Sequence, residues 1–172
     1  IVALLSKKAR RPVKSVFTRG DEFVSSTIRH PFIMDYTTGV NNEGKILARK
    51  VRLILDGGAY CSWTGTTIGK GSILAPGPYN IDNIHVEAYA VYTNKTATGA
   101  MRGFGAPQVC FAYESQMDEI AHKLGMDPLE IRLKNGFTEN SLSPTSQTLQ
   151  SVALKESLTQ AADRFGWKEW QK

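Results

Sequence analysis

Eight consecutive residues, Met101-Arg102-Gly103-Phe104-Gly105-Ala106-Pro107-Gln108, set two glycines around an aromatic and lead into a helical pattern. Those residue types in that order suit a binding loop. Glycine reaches backbone angles closed to other residues and lets a ligand come close to the main chain. Pro107 suits a first helical position, where a missing N–H costs nothing. The N–H groups at such a helix start point outward with the positive end of the dipole, toward any anionic group held there. An ordinary tight turn packing an aromatic fits the same letters, so the weight falls on what surrounds them.

Other chemistry-bearing residues are scattered. His30, His85 and His122 stand apart, and no two share a ligand spacing, which speaks against zinc. Cys61 and Cys110 form no Cys-x-x-Cys pattern, so neither a disulfide framework nor an iron–sulfur site is implied, and both read as buried thiols. Asp56 before Gly57-Gly58 reads as a turn-shaping residue rather than a base. Asp118 and Glu119 fall on the polar side of a helix. Nothing resembles a Ser-His-Asp triad or a P-loop.

The elements that must position the loop follow from periodicity. Residues 1–10 read as the end of a helix, and Pro12 forces the exit into extended chain. Val13 to Phe17 suggests a short strand, and Thr18 or Gly20-Asp21 starts a short helix through Val24. Residues 32–38 alternate, Asn41-Asn42-Glu43-Gly44 supplies turn residues, and Ile46 to Leu55 resumes an extended pattern, which makes a hairpin. In its second strand Leu47, Val51, Leu53 and Leu55 share the buried face while Lys50 and Arg52 face water. The stretch on to Pro78 is long for a structureless loop, so either a short helix near Ile68 to Leu74 or a functional lining segment is expected. Residues 84–92 alternate most cleanly of all and deliver the chain to the Arg102 loop. From Pro107, Val109, Tyr113, Met117, Ile120, Ala121 and Leu124 recur at helical spacing, with Gly125 as the stop. Asp127-Pro128-Leu129-Glu130 then reads as a reciprocal cap on a further helix that Asn135-Gly136 ends. A polar linker covers roughly 138–150, and Ser151 is placed to cap a last amphipathic helix with Leu154, Leu158, Ala161 and Phe165 in one stripe. Strands first and long helices later argue for an α+β fold: two layers, an antiparallel or mixed sheet with helices on one face. The division expected is 1–137, carrying the loop, and 138–172, the linker and terminal helix.

A chain of 172 residues, 41% hydrophobic and 22% charged, has an ordinary globular composition. No apolar run approaches a membrane helix and no signal peptide opens the chain, so a soluble cytoplasmic protein without a membrane partner is expected. The net charge of +5 comes partly from Lys7-Lys8-Ala9-Arg10-Arg11. That cluster reads as the solvated end of a helix, and otherwise as an anion or nucleic-acid patch. Ile1-Val2-Ala3-Leu4-Leu5 begins inside a helical pattern with no capping residue, as an internal piece of a longer protein would.

Five motifs in order carry a resemblance: Arg11-Pro12-Val13-Lys14, Arg29-His30-Pro31-Phe32, Leu55-Asp56-Gly57-Gly58-Ala59-Tyr60, the Arg102 to Gln108 loop, and Gly125-Met126-Asp127-Pro128-Leu129-Glu130-Ile131-Arg132-Leu133-Lys134-Asn135. With them the chain resembles the molybdenum hydroxylases, the xanthine dehydrogenase and aldehyde oxidase family, whose molybdopterin-binding large subunit carries an Arg-Gly-Phe-Gly-(Gly/Ala)-Pro-Gln loop at the metal site. The resemblance implies a molybdenum–molybdopterin cofactor and the hydroxylation of an N-heterocycle or an aldehyde with oxygen from water. Electrons would leave through 2Fe-2S clusters to FAD on other domains or subunits.

By that resemblance the main chain at Arg102 and Gly103 would meet the cofactor, with Arg102 near the molybdenum's oxygen ligands, and Phe104 would press on the substrate ring. Core packing is the plainer reading of Phe104. Lys70 stands at or near the place where purine-oxidising members carry a substrate-orienting Arg. A lysine there either polarises a different substrate's carbonyl or carboxylate, or is simply a solvated lysine. The family's earlier glycine-rich cofactor loop and its glutamate base have no counterpart in this chain. No catalytic residue is therefore assigned, and the isolated chain is expected to be inactive. Purine, nicotinate-like heterocycle and aldehyde all stay open as substrates. A basic nucleic-acid module and a phosphate-binding module built on the Arg102 loop are the alternative readings.

Overall fold

A computed structural model describes residues 1–170. The elements run α1 (Val2–Ala9), α2 (Arg19–Ser25), β1 (Phe32–Val40), β2 (Ile46–Asp56), α3 (Thr64–Leu74), β3 (Asn83–Val91), α4 (Ala106–Leu124), α5 (Pro128–Asn135), α6 (Leu154–Phe165) and α7 (Trp167–Trp170). The class is α+β, as expected.

The hairpin forms where the turn residues put it. Asn41 accepts from the Lys45 N–H through its side chain, and Gly44, at φ +80°, closes the turn by donating to the Asn41 carbonyl. β1 and β2 pair antiparallel from Phe32↔Leu55 to Gly39↔Ala48. The chain then crosses over through α3, and that crossover lets β3 return parallel to β2, from Ala48↔Asn83 to Asp56↔Val91. The sheet is thus mixed, in the order β1-β2-β3.

One face of the sheet meets the helices. Val51 and Leu53 pack with Ala75 and Val109, Leu55 is buried further along the same strand, and Ile46 joins Tyr79, Met117, Ile120, Ala121 and Ile131. The expected α4 stripe points this way, with Val109, Met117, Ile120 and Ala121 buried. On the other face Ile33, Lys50 and Arg52 are exposed, the two-layer arrangement expected.

Several local expectations are corrected. Leu47 leaves the buried face because the register slips between Gly39 and Val40; Val40 pairs with Ile46, and Leu47 bulges out. Arg49 takes the inward place instead. It is buried without a carboxylate partner among the described residues and donates to Thr38 Oγ1 at 3.0 Å and the Pro76 carbonyl at 2.7 Å, with its guanidinium over the Tyr79 ring. No strand forms over 13–17, where Val16 and Phe17 are exposed with nothing to pair with. Ser151 does not cap α6: it sits at φ +58°, and the helix starts three residues later behind Ala153. Asp127 caps α5 through the Leu129 N–H at 2.8 Å, but the returning bond from Glu130 does not form among the described residues. Both cysteines are exposed rather than buried. Thr18 does cap α2, in a reciprocal pair with Asp21. No helix among the described residues is long and apolar enough to cross a membrane.

Candidate functional site

The turn between β3 and α4 is as bent as its glycines suggest. Gly103, Phe104 and Gly105 all take positive φ, at +100°, +45° and +84°. A Cβ on Gly105 would meet the Thr67 carbonyl of α3 at 2.6 Å and the Gly71 Cα at 3.2 Å, so loop and helix touch backbone to backbone. A Cβ on Gly103 would run into the Pro107 ring at 2.5 Å. Only glycine fits either place.

The bend uses few of its own polar groups. Phe104 N–H donates to the Met101 carbonyl and Ala106 N–H to that of Gly103. The N–H groups of Arg102, Gly103 and Gly105 meet no acceptor among the described residues. Two buried side-chain oxygens, Thr67 Oγ1 and Gln108 Oε1, also lack a partner there, and they flank the loop from α3 and from the start of α4. Orphaned buried polar atoms are uncommon enough to ask for a reason.

Segment 27–30 holds the loop from behind. Ile28 bridges Thr98 in parallel register, Arg29 Nη2 donates to the Arg102 carbonyl at 3.0 Å, and Gln108 Nε2 donates to the His30 carbonyl at 3.0 Å. His30 is buried, with Nε2 3.0 Å from Thr64 Oγ1, and burial holds its pKa below the ordinary value, with the nearby Asp56 charge only partly opposing. Asp56 itself shapes the Gly57-Gly58 turn, as expected, by accepting from Gly58 N–H at 2.9 Å. Thr93 Oγ1 at 2.6 Å and Lys95 at 2.9 Å also bind it, and these bonds pull its pKa to about 2.

The structure brings the four expected site residues together. Arg102 and Gly103 lie on the bend, and Lys70 comes from α3 to place Nζ 5.9 Å from the centroid of the Phe104 ring. Phe104 is half-buried rather than sealed in the core. Trp63, at the start of α3, stacks on Phe104 at 5.9 Å and 29°, a partner that sequence reasoning missed. Arg29, His30 and Gln108 stood inside quoted motifs, yet their buttressing role is a tertiary fact that no spacing reveals. No cluster of three metal-ligating side chains occurs among the described residues.

The arrangement fits a large anionic cofactor held by hydrogen bonds rather than by side-chain ligation. It offers unpaired N–H groups on a bend, an unpaired amide oxygen on Gln108, and cations at Arg29 and Arg102 that no carboxylate neutralises among the described residues.

Comparison with known proteins agrees with this chemistry. Residues 1–136 match the family described as the molybdopterin cofactor-binding domain. The nicotinate dehydrogenase large molybdopterin subunit of Eubacterium barkeri is 39% identical over 163 residues, 94% of this chain and 38% of that protein. The aldehyde oxidoreductase of Megalodesulfovibrio gigas is 32% identical over 165 residues, 96% of this chain and 18% of its own length. Among solved structures, quinoline 2-oxidoreductase from Pseudomonas putida 86 superposes with a TM-score of 0.86 at 28% identity, covering 99% of this chain and 22% of that one. The chain therefore spans well under half the length of these relatives.

Proposed function

The chain belongs to the molybdopterin cofactor-binding domain family, and from that premise we propose that it forms one wall of the active site in the large subunit of a molybdenum hydroxylase. The complete protein is a cytoplasmic oxidoreductase of the xanthine dehydrogenase and aldehyde oxidase kind, acting on an N-heterocycle or an aldehyde. Its partners are the rest of the molybdopterin subunit and the 2Fe-2S and FAD domains or subunits that take the electrons.

When bound, the molybdenum cofactor supplies two-electron oxidation of a carbon with oxygen drawn from water. The residues of this chain bind and orient. Arg102 and Gly103 would hold the cofactor through their main-chain N–H groups, on a rigid bend whose donors need no reorganisation. Gln108 Oε1 would accept a hydrogen bond from it. Phe104 gives the substrate a flat face to lie on, which narrows its approach to the reacting centre. Lys70 contacts the substrate from α3. The Trp63 and Phe104 rings keep water from that side of the slot. Proton transfer falls to residues outside this chain.

The observation that carries the reading is the bend itself: consecutive positive φ angles at 103–105, with three N–H groups and the Gln108 amide oxygen unpaired among the described residues. Metal analysis tests it. The complete protein is expected to purify with about one molybdenum per large subunit, and Gly105→Ala, which drives a methyl into the Thr67 carbonyl, is expected to remove it. The isolated chain is expected neither to hold the cofactor nor to turn over. Stoichiometric molybdenum on the isolated chain, or undiminished metal in Gly105→Ala, would refute the assignment.

A further inference from the structure

We infer that Arg29 is a positioning residue for this site: by binding the Arg102 carbonyl, its guanidinium fixes the peptide that carries the Gly103 N–H and strengthens that N–H as a donor to an anionic group. The inference rests on the function proposed above, in which that group is the cofactor.

The Arg102 carbonyl and the Gly103 N–H are the two ends of one planar peptide unit. The first end is taken by Arg29 Nη2, at 3.0 Å and across 73 residues of sequence. The second is open among the described residues. A charged donor on the carbonyl draws electron density out of the amide and leaves its N–H more acidic, so a hydrogen bond given by that N–H gains in strength. Nothing else competes for the guanidinium. Among the described residues it makes this one hydrogen bond and no ion pair.

The backbone around Arg29 is tied to the chain that enters the bend. Ile28 bridges Thr98, its N–H donates to the Ala97 carbonyl at 3.3 Å, and Gly99 N–H donates back to the Ile28 carbonyl at 3.0 Å. Thr27 packs so closely that a Cβ on Gly99 would meet its Oγ1 at 2.6 Å. The residue after Arg29 repeats the pattern. The His30 carbonyl accepts from Gln108 Nε2 at 3.0 Å, and a flipped amide would set oxygen against oxygen there, so Oε1 is the end left over, buried and unpaired among the described residues. Two adjacent residues thus hold one end each of two amides, one main-chain and one side-chain, whose other ends stay open. A tether that served the fold alone has no reason to leave both far ends unsatisfied.

Hydrogen exchange at the Gly103 amide tests this in the complete protein produced without cofactor, because base-catalysed exchange of an open N–H follows its acidity. Arg29→Met keeps an apolar stem and removes the charge. It should slow exchange at Gly103 by about 3- to 10-fold, and Arg29→Lys should restore the rate in part. The effect should persist in about 1 M salt, which screens charges that are not in contact. A structural role alone predicts the opposite sign, a loosened bend with faster exchange at Gly103 and at the bonded Phe104 N–H together. In the cofactor-loaded protein Arg29→Met should also lower the molybdenum midpoint potential, since a weaker donor stabilises the more negative, reduced state less. Unchanged or faster exchange in Arg29→Met, an effect abolished by salt, or an unmoved potential would overturn the inference. The two readings fail differently. Slowed exchange in a protein that acquires no molybdenum when cofactor is supplied keeps the Arg29 role and sinks the hydroxylase. A molybdenum-bearing protein whose Gly103 exchange ignores Arg29 does the reverse.

Discussion

The two ends of α4 deal with polar groups in opposite ways. Along its C-terminal half, against α5, no buried side-chain nitrogen or oxygen among the described residues lacks a partner. The buried Asn135 accepts from Ile46 N–H at 2.8 Å and donates to the carbonyls of Gly44 and Ile131, each at 2.8 Å, while its own carbonyl takes the Asn80 N–H. Beside it Arg132 bonds Glu114, Asp118 and the Pro128 carbonyl, and Glu114 also accepts from the Tyr79 hydroxyl at 2.8 Å. At the N-terminal end three backbone N–H groups and two side-chain oxygens find nothing to bind among the described residues. One end is a scaffold complete in itself. The other is held rigidly and left unsatisfied, the condition of a surface shaped for something that binds it.

The sharpest way to break that comparison is to damage each end and see what is lost. Asn135→Ala should cost about 3 kcal/mol of stability, because it strands the Ile46 N–H and the Gly44 carbonyl in the core; denaturant unfolding measures it. Gly105→Ala should cost about 2 kcal/mol, from a side chain at positive φ and its clash with Thr67, and should also abolish cofactor binding. A variant at the closed end that lost cofactor without losing stability would erase the distinction.

Smaller effects refine it. Burial disfavours the charged form of His30, so its folded pKa lies below its unfolded value near 6.5. Its contribution is complete above that value and is lost as pH falls below it toward the folded pKa. Between about pH 7.5 and about pH 5.5 the wild type should lose more stability than His30→Gln; parallel denaturant titrations decide. Asp56, held down to about 2 by Thr93, Lys95 and Gly58, adds a loss only at lower pH, as it falls from about 4 through 2. Phe104→Ala should change stability least, by about 1 kcal/mol or less, because the ring is only half-buried. It should nonetheless raise KM for an aromatic substrate.

How far this could be read from the letters follows the same division. The hairpin, the helical stripe from Val109 to Leu124 and the Thr18 cap rest on local signals and were legible as such. The bulge that expels Leu47 was not, because it arises from a one-residue slip that only pairing reveals. The parallel placement of β3 was open for the same reason: alternation says strand and not direction. At the site, the glycines announced the bend and Phe104 its aromatic. Trp63 stayed hidden because its link to Phe104 spans 41 residues of sequence separation and shows no period. The exposure of Cys61 and Cys110 ran against residue-type preference, which is an average over proteins and not a contact.

The most direct test is a structure of the complete protein with its molybdenum cofactor bound. The N–H groups of Arg102 and Gly103 should lie within hydrogen-bonding distance of the metal's oxygen ligands, with Gln108 Oε1 paired and the Phe104 ring facing the substrate slot. A cofactor seated elsewhere, with those N–H groups bonded to other parts of the polypeptide, would contradict the account.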